Sequence, residues 1–332
     1  MGTIRFDVAG IGNAIVDIIG RCDDDFLARH GLPKGHMRLI EAADVQKLYG
    51  EMGPAVEASG GSAANTIAGV ASFGGRTAFI GKVADDEFGR IFGHDIRSLG
   101  VTFETSRAIG GLPTARCLVL VTPDGERTMS TFLGVSPHLD RGEVDAATIE
   151  ASRITYLEGY LFDRAEAKAA FHEAAAIARR AGAKVALSLS DAFCVERHRD
   201  EFLEFIRDKV DMLFANESEL AALYQTSDFN LAVAAVRKDS RLAAITRGAK
   251  GSLIIAGHRT IEIQPAPIKA LVDTTGAGDL YAAGFLYGHA KGLDLKICGQ
   301  LASLAAAEII SHIGARPETS LQTLAMHAGL PS

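Results

Sequence analysis

The sequence predicts an α/β fold, a doubly wound and mostly parallel sheet carrying a small discontinuous β lid, and three observations support it. Short β-rich runs alternate with longer helical patterns through most of the 332 residues, the signature of βαβ units whose helices cover both sheet faces. Glycine-bearing turns fall where several of those runs end. Two stretches, 18–58 and 103–133, break the rhythm and are expected to form the lid on what is otherwise one domain, 1–332.

Strands are expected at Ile154–Glu158, Lys184–Leu189, Asp211–Ala215 and Leu242–Thr246, with helices between them at Arg164–Ala181, Glu196–Asp208 and Phe229–Asp239. Asp163 stands where a cap for the first helix is wanted, and Gly182 where a left-handed residue ends it. Ala115–Thr122 and Arg127–Phe132 alternate around Pro123-Asp124-Gly125, which predicts a β-hairpin. Strand-like pieces between Cys22 and Glu57, broken by Gly31, Pro33, Gly35 and Gly53, are expected to join that hairpin in a separate sheet.

Composition excludes several functions. With 34 Lys and Arg against 41 Asp and Glu the net charge is −7, and no basic block occurs, so a nucleic-acid partner is not expected. The ten residues Leu301–Ile310 form half of a membrane span and predict a buried helix. Cys22, Cys117, Cys194 and Cys298 are far apart, which fits core thiols of a reducing compartment better than a zinc or redox motif. The first twelve residues lack the regions of a secretory signal, so a cytoplasmic location is expected.

Three segments promise chemistry. In Asp273-Thr274-Thr275-Gly276-Ala277-Gly278-Asp279, two glycines precede an apolar helix whose N-terminal amides suit an anion. A carboxylate is unwelcome beside phosphates unless it accepts a proton or holds a metal, so Asp279 suggests a general base, the alternative being a helix cap. Gly60-Gly61-Ser62-Ala63-Ala64-Asn65 opens another helix, with Asn65 able to donate and accept toward hydroxyls. Asn13 and Asp17 follow the first strand, and an ionised Asp suits vicinal hydroxyls. Further on, Asn216-x-x-Glu219 and Thr246-Arg247-Gly248-Ala249-Lys250-Gly251 begin at strand ends, where nucleotides bind; Glu219 suits magnesium through water.

Taken in this order, the segments resemble the ribokinase-like, or PfkB, family of carbohydrate and nucleoside kinases. Gly60–Gly89 is similar to its first signature, Asp273–Asp279 to its second, and Asn216-x-x-Glu219 to its N-x-x-E motif. The resemblance implies ATP-dependent phosphorylation of a hydroxyl on a small-molecule substrate, with magnesium. By that pattern Asp279 is the base, and the amides of Gly276, Ala277, Gly278 and Asp279 form the anion hole. Asn13, Asp17, Gly61, Ser62 and Asn65 hold the substrate, and Asn216, Glu219, Thr246, Gly248 and Gly251 serve the nucleotide and magnesium. Asp273 and Thr275 resemble the monovalent-cation site, potassium in many members.

Gly12-Asn-Ala-Ile-Val-Asp17 and Gly61-Ser62-x-x-Asn65 resemble the family's adenosine kinase branch, which implies the 5′-hydroxyl of adenosine as acceptor. Phe132, Tyr160, Leu161 and Phe162 are then expected to sandwich the purine, core packing being the alternative. A sugar kinase acting on ribose, fructose or a related ketose uses the same Asp17 and Asn65, and a non-catalytic nucleotide or sugar sensor is the more distant reading. A nicotinamide-dependent oxidoreductase is disfavoured because Ile15 stands where the dinucleotide fingerprint needs its third glycine. The family includes monomers and homodimers, and both remain open.

Overall fold

The computed structural model describes residues 3–268 and 270–331. Its strands are β1 (Phe6–Ile11), β2 (Ile15–Arg21), β3 (Met37–Leu39), β4 (Ala55–Gly60), β5 (Thr77–Ile80), β6 (Val101–Thr102), β7 (Ala115–Val121), β8 (Arg127–Phe132), β9 (Ser152–Glu158), β10 (Lys184–Ser188), β11 (Met212–Asn216), β12 (Leu242–Thr246), β13 (Ser252–Ala256) and β14 (Arg259–Ile263). Its helices are α1 (Asp24–Arg29), α2 (Ala42–Glu51), α3 (Ser62–Ser72), α4 (Glu87–Ser98), α5 (Ala146–Glu150), α6 (Ala165–Ala181), α7 (Ala192–Lys209), α8 (Glu217–Tyr224), α9 (Phe229–Asp239), α10 (Ala277–Ala290), α11 (Leu295–Ile309) and α12 (Leu321–His327).

The main sheet runs β14-β13-β12-β11-β10-β9-β1-β5-β6 and is parallel from β12 to β6, with an antiparallel pair at the β14 edge. Alternation along each strand sorts side chains to two cores. Val8, Tyr156, Phe214 and Ala244 face α3, α10 and α11, whereas Ile11, Leu157, Leu213 and Ala243 face α6, α7, α8 and α9. The α/β expectation therefore holds, and β9 to β12 match the expected strands to within two residues.

Helix ends hold two surprises. Gly182 closes α6 in the left-handed region at φ 77°, as expected, but Asp163 does not cap it. Arg164 stands at that N-cap, and the Asp163 carboxylate is taken by Arg197 at 2.8 Å and His198 at 2.9 Å. Helix α7 starts at Ala192 rather than Glu196 because Asp191 accepts the Phe193 and Cys194 amides, and a kink at His198 interrupts its pattern.

A second sheet, β3-β8-β7-β2-β4, is built from Ile15–Gly60 and Ala115–Phe132. Strands β7 and β8 form the expected hairpin, and β2 joins β7 in parallel and β4 antiparallel. The stretch expected to be strand-like also contains α1 and α2, whose Phe26, Leu27, Val45 and Leu48 pack with Val16, Ile18, Leu118 and Leu120 on one face of this sheet. Among the described residues no helix is long and apolar enough to cross a membrane.

Candidate active site

The C-terminal ends of β1 and β9 to β12 lie along one edge of the main sheet, and chain order reverses at β1, which sits between β5 and β9. Ligands enter open α/β sheets at such a switch point. Asn13 follows β1 there, and its backbone N–H and Nδ2 donate to Glu158 Oε1 at 3.2 and 2.7 Å. Ser136 Oγ donates to Asn13 Oδ1 at 2.9 Å. Glu158 Oε2 accepts the Ala63 amide at 2.7 Å, so one buried carboxylate ties the end of β1 to the start of α3. Burial raises its pKa to about 7 against those three donors, and Asp279 adds to the rise. Sequence reasoning missed Glu158, whose only signal is an acid closing the apolar run Ile154–Leu157.

Helices α3 and α10 pack side by side in the same direction, so their N-termini lie next to each other. Gly61 turns the chain into α3 at φ 98°, where an added Cβ would lie 2.1 Å from the Asn13 carbonyl oxygen, so glycine alone fits. Ser62 Oγ then donates to Asp279 Oδ1 at 2.6 Å and Asn65 Nδ2 to Oδ2 at 2.9 Å. Thr66 Oγ1 donates to the Asp279 carbonyl at 3.1 Å. Both Asp279 oxygens are thus held by the first turn of α3. Burial raises the Asp279 pKa, opposed by those two donors and by the Arg316 charge. Gly276 is the N-cap of α10 and brings no capping side chain; the Ala277 amide donates to the Thr274 carbonyl at 3.2 Å, and those of Gly278 and Asp279 in the first turn suit an anion.

Asp17 projects from β2 on the face of the second sheet that also carries Cys117, Thr131 and Arg127. Burial lifts its pKa to about 6; Arg316 and Arg127 oppose the rise and Asp279 reinforces it. The Asn65 side-chain oxygen, Oδ1, is buried and has no partner among the described residues, so it can accept one donor from a ligand. The structure thus gathers Asn13, Asp17, Gly61, Ser62, Asn65 and Asp279.

On the other flank, Asn216 and Glu219 form a reciprocal capping box at the start of α8. Glu219 accepts the Asn216 amide at 3.0 Å and Nδ2 at 2.6 Å. Its pKa rises to about 7, first through burial and then through Asp191 and Asp279. Thr246 ends β12, Gly248 turns at φ 56° in an exposed loop, and Gly251 returns the chain to β13. Among the described residues no three His, Cys, Asp or Glu side chains converge to grip a metal directly. A lone buried carboxylate facing Asp191 and Asp279 nevertheless fits magnesium held mostly by water.

Potassium fits less well. The Asp273 carboxylate is ion-paired with Arg127 of β8, both side chains being buried, and it also accepts the Thr275 amide at 3.0 Å and the Gly314 amide at 3.3 Å. Arg127 already supplies the positive charge that the resemblance assigns to a monovalent cation at Asp273 and Thr275.

The expected aromatic sandwich breaks up. Phe162 is 1% exposed, stacks on Phe202 at 4.0 Å and meets Phe171 and Phe205 edge-on, and Leu161 lies in the same core beneath α6 and α7. The chain after β9 makes a 3-10 turn over Gly159–Asp163, whose consecutive Leu161 and Phe162 both fall inward. Phe132 lies on the face of the second sheet opposite Asp17, because Thr131, not Phe132, aligns with Cys117 and Asp17; its neighbour is Arg116 at 5.7 Å. Tyr160 alone stays at the site, partly buried, its hydroxyl raised by burial and by Asp191, Glu158, Asp279 and Glu219.

Residues 40–322 match the model of the pfkB family carbohydrate kinases. An adenosine kinase structure from Sinorhizobium meliloti is 52% identical and superposes with a TM-score of 0.91, covering 98% of this chain and 99% of that one. A probable sugar kinase from Rhizobium etli CFN 42 is 48% identical at a TM-score of 0.92, covering 99% and 100%. An uncharacterized sugar kinase of Archaeoglobus fulgidus is 31% identical over 75% of this chain and 96% of its own length.

Proposed function

The chain belongs to the pfkB family of carbohydrate kinases, and from that premise we propose that it transfers the γ-phosphoryl group of ATP to the 5′-hydroxyl of a purine nucleoside, adenosine first. One observation favours a nucleoside over a bare sugar: the face of the second sheet that carries Asp17 is an apolar shelf, buried at Cys117 and Val119 and exposed at its β3 edge. Ile15 and Ile19 flank Asp17 on β2, and Val119 and Met129 lie beside them. In register with Met129 and Thr131, Met37 and Leu39 are 51% and 62% exposed on β3. A carboxylate for ribose hydroxyls beside an apolar shelf suits a sugar bearing a flat heterocycle. The similarity to the S. meliloti adenosine kinase supports the same reading.

In this reading Asp17 and Asn65 hold the ribose, and Asp279 accepts the proton of the attacking hydroxyl, with Ser62 and Asn65 aiming its carboxylate. The first-turn amides of α10 stabilise charge on the transferring phosphoryl group, an effect typically worth about 10²–10³ in rate per donor. Thr246, Gly248 and Gly251 line the nucleotide side with Asn216. Glu219 would hold magnesium through water, and bound magnesium neutralises phosphate charge. The second sheet serves as the lid, excluding the water that competes as acceptor.

ADP release with Mg-ATP, measured across adenosine, inosine, guanosine, ribose, fructose and fructose phosphates, tests the proposal. Turnover concentrated on nucleosides is expected. Comparable turnover on free sugars would make the chain a sugar kinase, and silence on all acceptors would leave a sensor. In parallel, Asp279→Asn should lower kcat by about 10²–10⁴, and a fall under tenfold would remove Asp279 as the base.

A further inference from the structure

Beyond these residues, a partly buried cation stands behind the site. Arg316 follows α11 and sends its guanidinium under the turn between β4 and α3. Nε and one terminal nitrogen donate to the Ser59 carbonyl at 3.0 and 2.6 Å, that same nitrogen reaches Ser59 Oγ at 3.0 Å, and the other donates to the Ala64 carbonyl at 2.6 Å. These four hydrogen bonds go to neutral oxygens on either side of Gly60 and Gly61. The Ser59 amide and hydroxyl are held in turn by Asp95 Oδ2 of α4 at 2.7 and 2.5 Å. A paired glycine is the softest backbone in the site, and it is clamped at both ends by a planar fork whose geometry a lysine cannot copy.

That turn presents Ser62 and Asn65, the two side chains that grip Asp279. We infer that Arg316 is a positioning residue of the transfer reaction: by fixing the Ser59–Asn65 turn it holds Asp279 in the orientation that receives the proton of the acceptor hydroxyl. This role rests on the kinase reading given above. Electrostatics reinforce the geometry. Asp17 of β2 is coupled to both Arg316 and Asp279, Glu158 and Tyr156 of β9, Tyr160 in the following turn and Glu219 of α8 all feel the Asp279 charge, and Arg316 is the cation that offsets it. Burial lowers the Arg316 pKa to about 10, which leaves it charged at neutral pH, with Asp17, Asp95 and Asp279 as its counter-charges.

The test compares Arg316→Ala and Arg316→Lys with the unaltered full-length protein, reading kcat, KM for the nucleoside, the pH profile of kcat and Tm. Misaimed catalytic groups typically cost about 10²-fold in rate, so Arg316→Ala should lose about that in kcat with KM little changed. Its acid limb should move to higher pH, because removing a cation favours the protonated carboxyl, and free guanidinium should restore part of kcat. Arg316→Lys keeps the charge without the fork, so it should lose kcat while its acid limb stays in place. If Arg316→Ala does not fold, the lysine variant decides, and unaltered kcat there overturns the role. A loss in Arg316→Ala that follows Tm, with the acid limb unmoved and no rescue, also overturns it. Silence of the unaltered protein on every acceptor overturns the kinase reading and this role together, an outcome distinct from the others.

Discussion

The two faces of the second sheet are made by the same strands and differ completely. One face, with Val16, Ile18, Leu118, Leu120 and Phe132, is sealed in the core with residues of α1 and α2. The other carries Asp17, Thr131 and Arg127 among apolar side chains, with Met37 and Leu39 largely exposed. Because side chains alternate with a period of two, adjacent residues such as Thr131 and Phe132 belong to different worlds. One face is core throughout, and the other is exposed only toward its β3 edge.

Substitutions on the two faces should therefore separate activity from stability. The largest effect is expected for Asp17→Asn, since two charge-assisted hydrogen bonds at about 1.5–3 kcal/mol each imply a fall in kcat/KM of about 10²-fold or more. Stability should move the other way. The folded pKa of Asp17 lies near 6, above its ordinary value, so its contribution is most favourable in acid and is lost as pH rises through 6. At pH 7.5 Asp17→Asn should melt above the parent, and below pH 4 the gain should vanish; an unchanged melting difference across that range would show Asp17 to be solvated.

Leu118→Ala on the sealed face should cost about 2–5 kcal/mol of stability while leaving KM for the acceptor near the parent value. Urea titration beside steady-state kinetics checks both halves, and a selective loss of acceptor binding would blur the division between faces. Leu39→Ser on the open face should raise KM for adenosine about tenfold, from about 1.5–3 kcal/mol for a fully buried leucine scaled to partial cover, with Tm nearly unmoved. An unchanged KM would remove the shelf from the base site. The smallest effect concerns salt. With Arg127 paired to Asp273, exchanging potassium for tetramethylammonium should change kcat by less than about twofold, because the charge at that carboxylate is already met within the chain; strict potassium dependence would show that the pair opens during turnover.

Much of this was legible beforehand because it is written in local pattern. Alternation marked β9 to β12, the hairpin announced itself by its turn, and the two glycine-led helix starts carried Ser62, Asn65 and Asp279. What local pattern missed has physical reasons. Asp163 has the residue type of a cap, but Arg197 and His198, more than thirty residues away, bind it more strongly. Phe162 has the composition of a base-stacking loop, yet its side chain turns into the core with Phe171, Phe202 and Phe205. Glu158 and Arg316 belong to no motif, and each acts through partners distant in sequence.

The sequence by itself determined the α/β alternation, the strand-end placement of polar residues and the Gly-Ala-Gly-Asp helix start, since each depends on spacing within a few residues. Only the tertiary structure decided which face Phe132 takes, that Arg127 closes on Asp273, and that a guanidinium from beyond α11 braces the turn beside Asp279. Those outcomes depend on strand register and on charges brought together from opposite ends of the chain, and neither has a local signature.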